Sequence, residues 1–337
     1  MVFFPTLLAD PEWLAHRFVE SDDTFRFIHV PREDHAAATF LIDDYLGERE
    51  KGGDVPVAKC LEASADVPLH FLFHSAFCGS TMLVRGLSQP GVAMGLSEPQ
   101  ALNDVVGFRR RGADPRAVAR AADAATRLLG RPFAAGEAVI VKPSNVINPL
   151  AHLLMALRTN SRAVFLHAPL ETYLISVANK GLHCRVWCRE LLQGFLMEGA
   201  VQGMGFESGD HFLHSDLQVA AVGWLAQQRL FDALSKTVGE RLASLDSERM
   251  FGDPAAALRA VSEHYGLALD VDTALTGPAF TRHSKSGVDY SAEVRASDYA
   301  KVRAAHGEEI DMVLAWAKAV ADAASISMEA PRPLLQA

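Results

Sequence analysis

The segment His74-Ser75-Ala76-Phe77-Cys78-Gly79-Ser80-Thr81 has the makings of a turn that wraps an anion. Small residues let backbone amides converge on one point at a helix N-terminus, and the hydroxyls of Ser80 and Thr81 add two donors. Against the phosphate-loop pattern G-x-x-x-x-G-K-[ST], His74 stands at the first glycine and Ser80 at the lysine, while Gly79 and Thr81 fit. A nucleoside-triphosphatase loop is therefore excluded, yet the amide cradle is kept. The plain alternative is a tight strand-to-helix turn capped by Ser80 or Thr81.

Two charged residues follow at comparable places. Glu98 comes just past the run Val92 to Leu96, and Lys142 directly after Ala138 to Val141. A carboxylate there can take a proton from a hydroxyl or amine, and an ammonium can neutralise a transferring anion. The bland readings are a carboxylate favoured by a helix dipole before Pro99 and a lysine snorkelling from a strand end. His74 is either a satisfied turn histidine or, when protonated, a donor to an anion. Ser176 can hold a ligand oxygen or bond back to its own helix. Cys184 and Cys188 share a helix face at i, i+4 beside His183, but no C-x-x-C and no fourth ligand accompany them, so no metal is expected. Arg109-Arg110-Arg111 reads as a solvated loop that at most flanks an anionic acceptor. Nothing around the serines has the G-x-S-x-G form of a nucleophile elbow.

These residues need a frame that brings them to one edge. Leu69 to Phe73, Val92 to Leu96, Ala138 to Val141, Arg162 to Leu166 and Leu242 to Leu245 are short, nearly all-apolar runs. They alternate with helical patterns over Pro99 to Val106, Pro115 to Leu129, Pro149 to Arg158 and Leu170 to Asn179. Such alternation predicts an α/β fold in three layers, with a central parallel sheet whose ligands sit at the carboxyl ends of the strands. All the polar groups named above fall at those ends. Beyond residue 183 the chain reads as mainly helical, with amphipathic spacing over Ala255 to Tyr265 and Glu308 to Ala321. Residues 1–66 read as an N-terminal appendage, 67–325 as the main domain with helical inserts, and 326–337 as a C-terminal tail. In the appendage, Asp10-Pro11-Glu12 is expected to open a helix, Phe25 to Val30 to be a strand, Phe40 to Leu46 a strand or helix, and Gly47 to Asp54 a loop.

The loop, the residues after the later strands and their order together resemble the sulfotransferase family. Cys78-Gly79-Ser80-Thr81 is similar to the S-G-T-T end of that family's first loop, and Lys142-Pro143 to its K-x-P element. Phe165 to Ser176 is similar to its strand, Arg, Pro and Ser element. Trp224 in a long helix, Asp253-Pro254 and Tyr265-Gly266-Leu267 continue the likeness, which covers roughly residues 68 to 320. The resemblance implies a P-loop-type fold and 3′-phosphoadenosine 5′-phosphosulfate as co-substrate. It implies Ser75, Cys78, Gly79, Ser80 and Thr81 around the 5′-phosphosulfate, and His167 and Ser176 at the 3′-phosphate. It adds Arg282 and Lys285 from a late basic loop, with Glu98 as base and Lys142 and His74 as catalytic partners. Phe77 and His167 stand where the family carries basic residues, so Lys142, Lys180, Arg185, Arg189, Arg282 and Lys285 are the candidate replacement cations.

Composition narrows the rest. The chain has 337 residues, 49% of them hydrophobic, and a net charge of −9. That acidity disfavours a general nucleic-acid binder. No apolar run reaches ~18 residues, so no membrane span is expected. Without a recognisable secretory signal, four free thiols in a reducing cytoplasm are the expectation. The expected partner is a small-molecule or peptide acceptor. A magnesium-dependent kinase-like phosphotransferase and a non-catalytic nucleotide- or partner-binding scaffold are the competing readings.

Overall fold

The computed structural model describes residues 3–63, 69–207, 209–281 and 292–336. Two sheets form. The first is antiparallel, β1 (Trp13–Val19), β2 (Thr24–His29) and β3 (Lys51–Pro56), in that order. The second has five strands, β4 (His70–His74), β5 (Ala93–Ser97), β6 (Ala138–Lys142), β7 (Ala163–His167) and β8 (Leu242–Asp246), in the order β5-β6-β4-β7-β8. Every pairing within it is parallel. The α/β architecture read from the apolar runs is what the chain forms.

Strand alternation explains the two faces. Leu72, Ile140, Val164 and Leu166 point into one core with the helices Leu170–Asn179, Gly181–Met197 and Asp216–Val238. Phe71, Phe73, Val139, Val141 and Phe165 point to the other, shared with the helices Gln100–Arg110 and Pro115–Leu129 and with Phe25 and Phe27 of the antiparallel sheet. The appendage is thus packed into one of the two cores. Because β4 is central, both its faces are buried, which is why its sequence shows no polar alternation.

Three local expectations are corrected. Gly47 to Asp54 is not a loop throughout, since Lys51–Pro56 is β3. Its Gly52 is required by packing: a Cβ there would lie 2.5 Å from Leu7 and 2.9 Å from Trp13. Asp10-Pro11-Glu12 does not open a helix. The helix is Phe4–Ala9, and the Asp10 carboxylate accepts the Glu12 N–H at 2.9 Å in a turn leading into β1. Arg109 and Arg110 end a helix rather than lie in a loop, and both pair with Glu198, whose side chain is 2% exposed. Within Phe40 to Leu46 the helix is confined to Asp43–Leu46. The C-terminal segment lies along β8: the Ser244 N–H donates to Arg332 O at 3.0 Å and Leu334 N–H to Ser244 O at 2.8 Å. Among the described residues no helix is long and apolar enough to cross a membrane.

Candidate functional site

The first, second and third strands of the parallel sheet in chain order end in His74, Ser97-Glu98 and Lys142. Parallel pairing at adjacent register, Ser97 opposite Lys142, puts Glu98 and Lys142 at the same edge. Their side chains meet there, Lys142 Nζ donating to Glu98 Oε1 at 2.5 Å. His74 Nε2 lies 3.7 Å from the same carboxylate oxygen. His74 Nδ1 accepts the Ala76 N–H at 3.1 Å, so in the neutral ring the proton is on Nε2, facing Glu98. Lys142 is fully buried, and the Glu98 side chain is 18% exposed. The carboxylate therefore stands between the buried ammonium and the outside.

The backbone here is held in an uncommon shape. Of six non-glycine residues with positive φ among those described, three are at this edge: Ala76 (+73°), Phe77 (+53°) and Glu98 (+51°). Such conformations persist only where the surroundings over-determine them, and they concentrate at functional sites. Gly79 follows at +78°, and a Cβ on it would lie 2.7 Å from Phe251 and 2.9 Å from Met250. The helix Ser80–Gly86 starts immediately after, with no side-chain cap. Ser80 and Thr81 are in its buried first turn.

A buried amide network fixes the loop from below. Asn148 donates to His74 O at 3.1 Å and to Gln227 Oε1 at 2.8 Å. Asn145 donates to the same Gln227 oxygen at 3.3 Å, and Gln227 reaches toward Ser75 O at 3.5 Å. Ser75 is itself a tie, its Oγ accepting the Ala168 N–H at 3.1 Å while donating to Ala76 O at 3.2 Å. Trp224 secures the same junction through Nε1–H to Ala168 O at 2.8 Å. Burial pushes the Cys78 thiol up to about 11, and its side chain belongs to the apolar core. Asn145, Asn148 and Gln227 carried no sequence signal, because an amide in a helix or turn looks the same whether it is solvated or satisfied inside.

At the neighbouring strand end, His167 is buried, stacked on Phe165 with ring centroids 5.6 Å apart, and opposite Asp246 in the β7–β8 register. Burial lowers its pKa, with Asp246 opposing, so the imidazole is neutral near pH 7. Ser176 is buried on the next helix, and its Oγ meets the Tyr299 hydroxyl at 3.4 Å. Arg295 donates to that hydroxyl at 3.1 Å and to Glu248 Oε2 at 3.0 Å. Its guanidinium lies over the Phe251 ring, 4.2 Å from the centroid. Phe251 in turn abuts Gly79, so Ser176 is joined to the loop through Tyr299, Arg295 and Phe251. Tyr299 and Arg295 come from a helix far along the chain, and sequence reasoning did not single them out.

Of the candidate replacement cations, Lys142 and Lys180 are at the loop. Lys180 Nζ sits 5.2 Å from the Phe77 ring centroid, and that ring also packs against Tyr173 and Trp187. Arg185 and Arg189 turn instead to Asp216. Arg282 and Lys285 lie outside the described residues. Cys184 and Cys188 are buried free thiols on the helix Gly181–Met197. Among the described residues no three His, Cys, Asp or Glu side chains gather as for a metal ion.

No protein-family model matches the sequence, and no curated protein matches it. Solved structures do. A sulfotransferase domain of the Synechococcus PCC 7002 olefin synthase is similar over 70% of this chain and 87% of its own, at 15% identity and a TM-score of 0.42. A Mycobacterium avium sulfotransferase is similar over 74% and 79%, at 11% identity and 0.41. One from Mycobacterium tuberculosis H37Rv is similar over 72% and 79%, at 15% identity and 0.40.

Proposed function

We propose that the protein transfers a sulfuryl group from 3′-phosphoadenosine 5′-phosphosulfate to the hydroxyl or amine of a small-molecule or peptide acceptor. The observation that carries this reading is the meeting of Glu98, Lys142 and His74 at one strand-end edge, with Glu98 outermost. Sulfuryl transfer needs a base for the acceptor proton and positive charge on the leaving phosphate, and it needs both preorganised. Glu98 takes the acceptor proton. The acceptor oxygen or nitrogen bonds to sulfur as the bond from sulfur to the phosphate oxygen breaks. Protonated Glu98 no longer competes for Lys142, whose ammonium then neutralises the departing anion. His74 donates from Nε2 to an oxygen of the transferring group. Ser176, with Tyr299 and Arg295 behind it, is the proposed grip on the 3′-phosphate, and neutral His167 offers one donor at most.

The test is competitive binding of adenosine 3′,5′-bisphosphate against AMP and ATP at two pH values, for wild type and Ser176→Ala, followed by transfer of radiolabelled sulfate. A preference for the bisphosphate of about tenfold or more is expected, shrinking in the variant. Equal affinities for all three nucleotides, unchanged by Ser176→Ala, overturn the reading. One observation favours a second: the Phe77 ring, packed on Tyr173 and Trp187, fills the place of a loop cation. That suits a scaffold that binds nucleotide without turnover, and bisphosphate binding with no labelled product selects it.

A further inference from the structure

We infer that the N-terminal appendage is part of the reaction site, with Phe40 as a positioning residue that holds the Lys142 ammonium against Glu98. The inference rests on the roles proposed above for those two residues.

The segment 37–41 is fixed at both ends. Arg85, on the helix that follows the loop, donates to Ala37 O at 2.7 Å. At the other end the Leu41 N–H donates to Ser97 O at 2.7 Å, and Leu41 O accepts the Gln100 N–H at 3.0 Å. Those two bonds straddle Glu98, and the Glu98 N–H donates to Lys142 O at 2.6 Å. The left-handed backbone of Glu98 is therefore bracketed by the appendage on one side and by β6 on the other. Leu41 is fully buried, which anchors the bracket in the core. The Phe40 ring centroid lies 5.1 Å from Lys142 Nζ. Phe40 is half-buried and meets Tyr45 edge-on at 5.1 Å.

An ammonium out of reach of water needs its charge met by something fixed. Glu98 meets it from one side and the negative face of the Phe40 ring from another. When Glu98 takes a proton, the carboxylate's hold weakens and the ring continues to favour the charged ammonium at its place. Among the described residues, the ionisable groups near Lys142 include Glu98 from the end of β5, which His74 also approaches, and Cys78 from the loop.

The ring favours the charged form, so removing it lowers the pH at which Lys142 loses its proton. The test is NMR titration of the Lys142 side chain in the full chain, assigned with Lys142→Arg. It is run in wild type, Phe40→Leu and Phe40→Trp, with thermal melts as a folding control. The expected result is a Lys142 midpoint lowered by about one pH unit in Phe40→Leu, a change of roughly tenfold in its proton affinity, and regained in Phe40→Trp. If sulfuryl transfer is active, the basic limb of kcat moves down with it in Phe40→Leu, while the KM for the nucleotide stays put. A Lys142 midpoint identical in all three folded proteins overturns the inference. A Lys142 midpoint lowered in Phe40→Leu, with no sulfuryl transfer by the wild type, supports the Phe40–Lys142 coupling and removes the reaction assigned to the site.

Discussion

Arg131 and Lys142 are both buried cations, 8% and 0% exposed, and their surroundings differ in kind. The Arg131 guanidinium donates to four backbone carbonyls, Leu7, Asp10, Trp13 and Leu128, at 2.6 to 2.9 Å. Burial lowers it to about 10, so it stays charged at neutral pH. Its partners are neutral, cannot titrate, and belong to the helix Phe4–Ala9, the turn before β1, β1 itself and the helix Pro115–Leu129. Lys142 is met by a carboxylate that can be protonated and by an aromatic ring. Arg131 staples the appendage to the main body. Lys142 is held by a partner that can let go, which is what a site that moves protons requires. The comparison teaches that burial of a charge does not by itself mark function, and that the partner which meets the charge decides what the charge can do.

Breaking the staple should have the largest effect on stability. Arg131→Met removes the guanidinium from all four carbonyls, of which Asp10 O keeps the Trp13 N–H at 3.2 Å, and is expected to cost on the order of 3–5 kcal/mol, read as a lower urea midpoint. A loss below about 1 kcal/mol would show that the carbonyls find water and that the staple is not structural. Lys142→Met should show the reverse profile. The proposed sulfuryl transfer should fall by roughly 10²–10³-fold, as when one preorganised electrostatic partner is removed. Stability should change by less than about 2 kcal/mol, because Glu98 reaches solvent. Single-turnover rates and urea titrations on the same preparations check both halves.

A pH series sharpens the contrast within the appendage. His35 is buried, its ring against Phe133, and burial pushes its pKa down to about 3. Unfolded, it takes a proton near pH 6.5; folded, it does not until about 3. Its neutral form therefore adds stability above pH 6.5 that drains away as pH falls toward 3, at up to about 1.4 kcal/mol per pH unit. Urea midpoints measured from pH 7 to 4 should fall in wild type and fall less steeply in His35→Leu; parallel slopes would dismiss His35 as the source. The smallest effect is expected at the loop. Gly79→Ala puts a Cβ at positive φ against Phe251 and Met250 and should cost about 1–2 kcal/mol, with nucleotide binding weakened as the loop shifts. Unchanged melting and binding would mean that the loop can relax without loss.

The sequence by itself determined the parallel sheet and what stands at its edge. Strands buried on both faces are short and nearly all apolar, so Leu69 to Phe73 and Ala138 to Val141 announce themselves, and the polar residues that follow such runs emerge at the carboxyl edge. That is why Glu98, Lys142 and the His74 to Thr81 segment were readable one by one. Only the tertiary structure decided what each of them meets. β3 was hidden because Gly52 and Gly53 are turn residues by local preference, and the need to admit Trp13 and Leu7 is set by packing from elsewhere in the chain. Phe40 on Lys142, Tyr299 beside Ser176, Gln227 beneath the loop and the four carbonyls around Arg131 are likewise contacts between distant segments. No local spacing encodes them: such a pairing depends on how two surfaces dock, and an aromatic, amide or guanidinium side chain has the same local preferences whichever surface it faces.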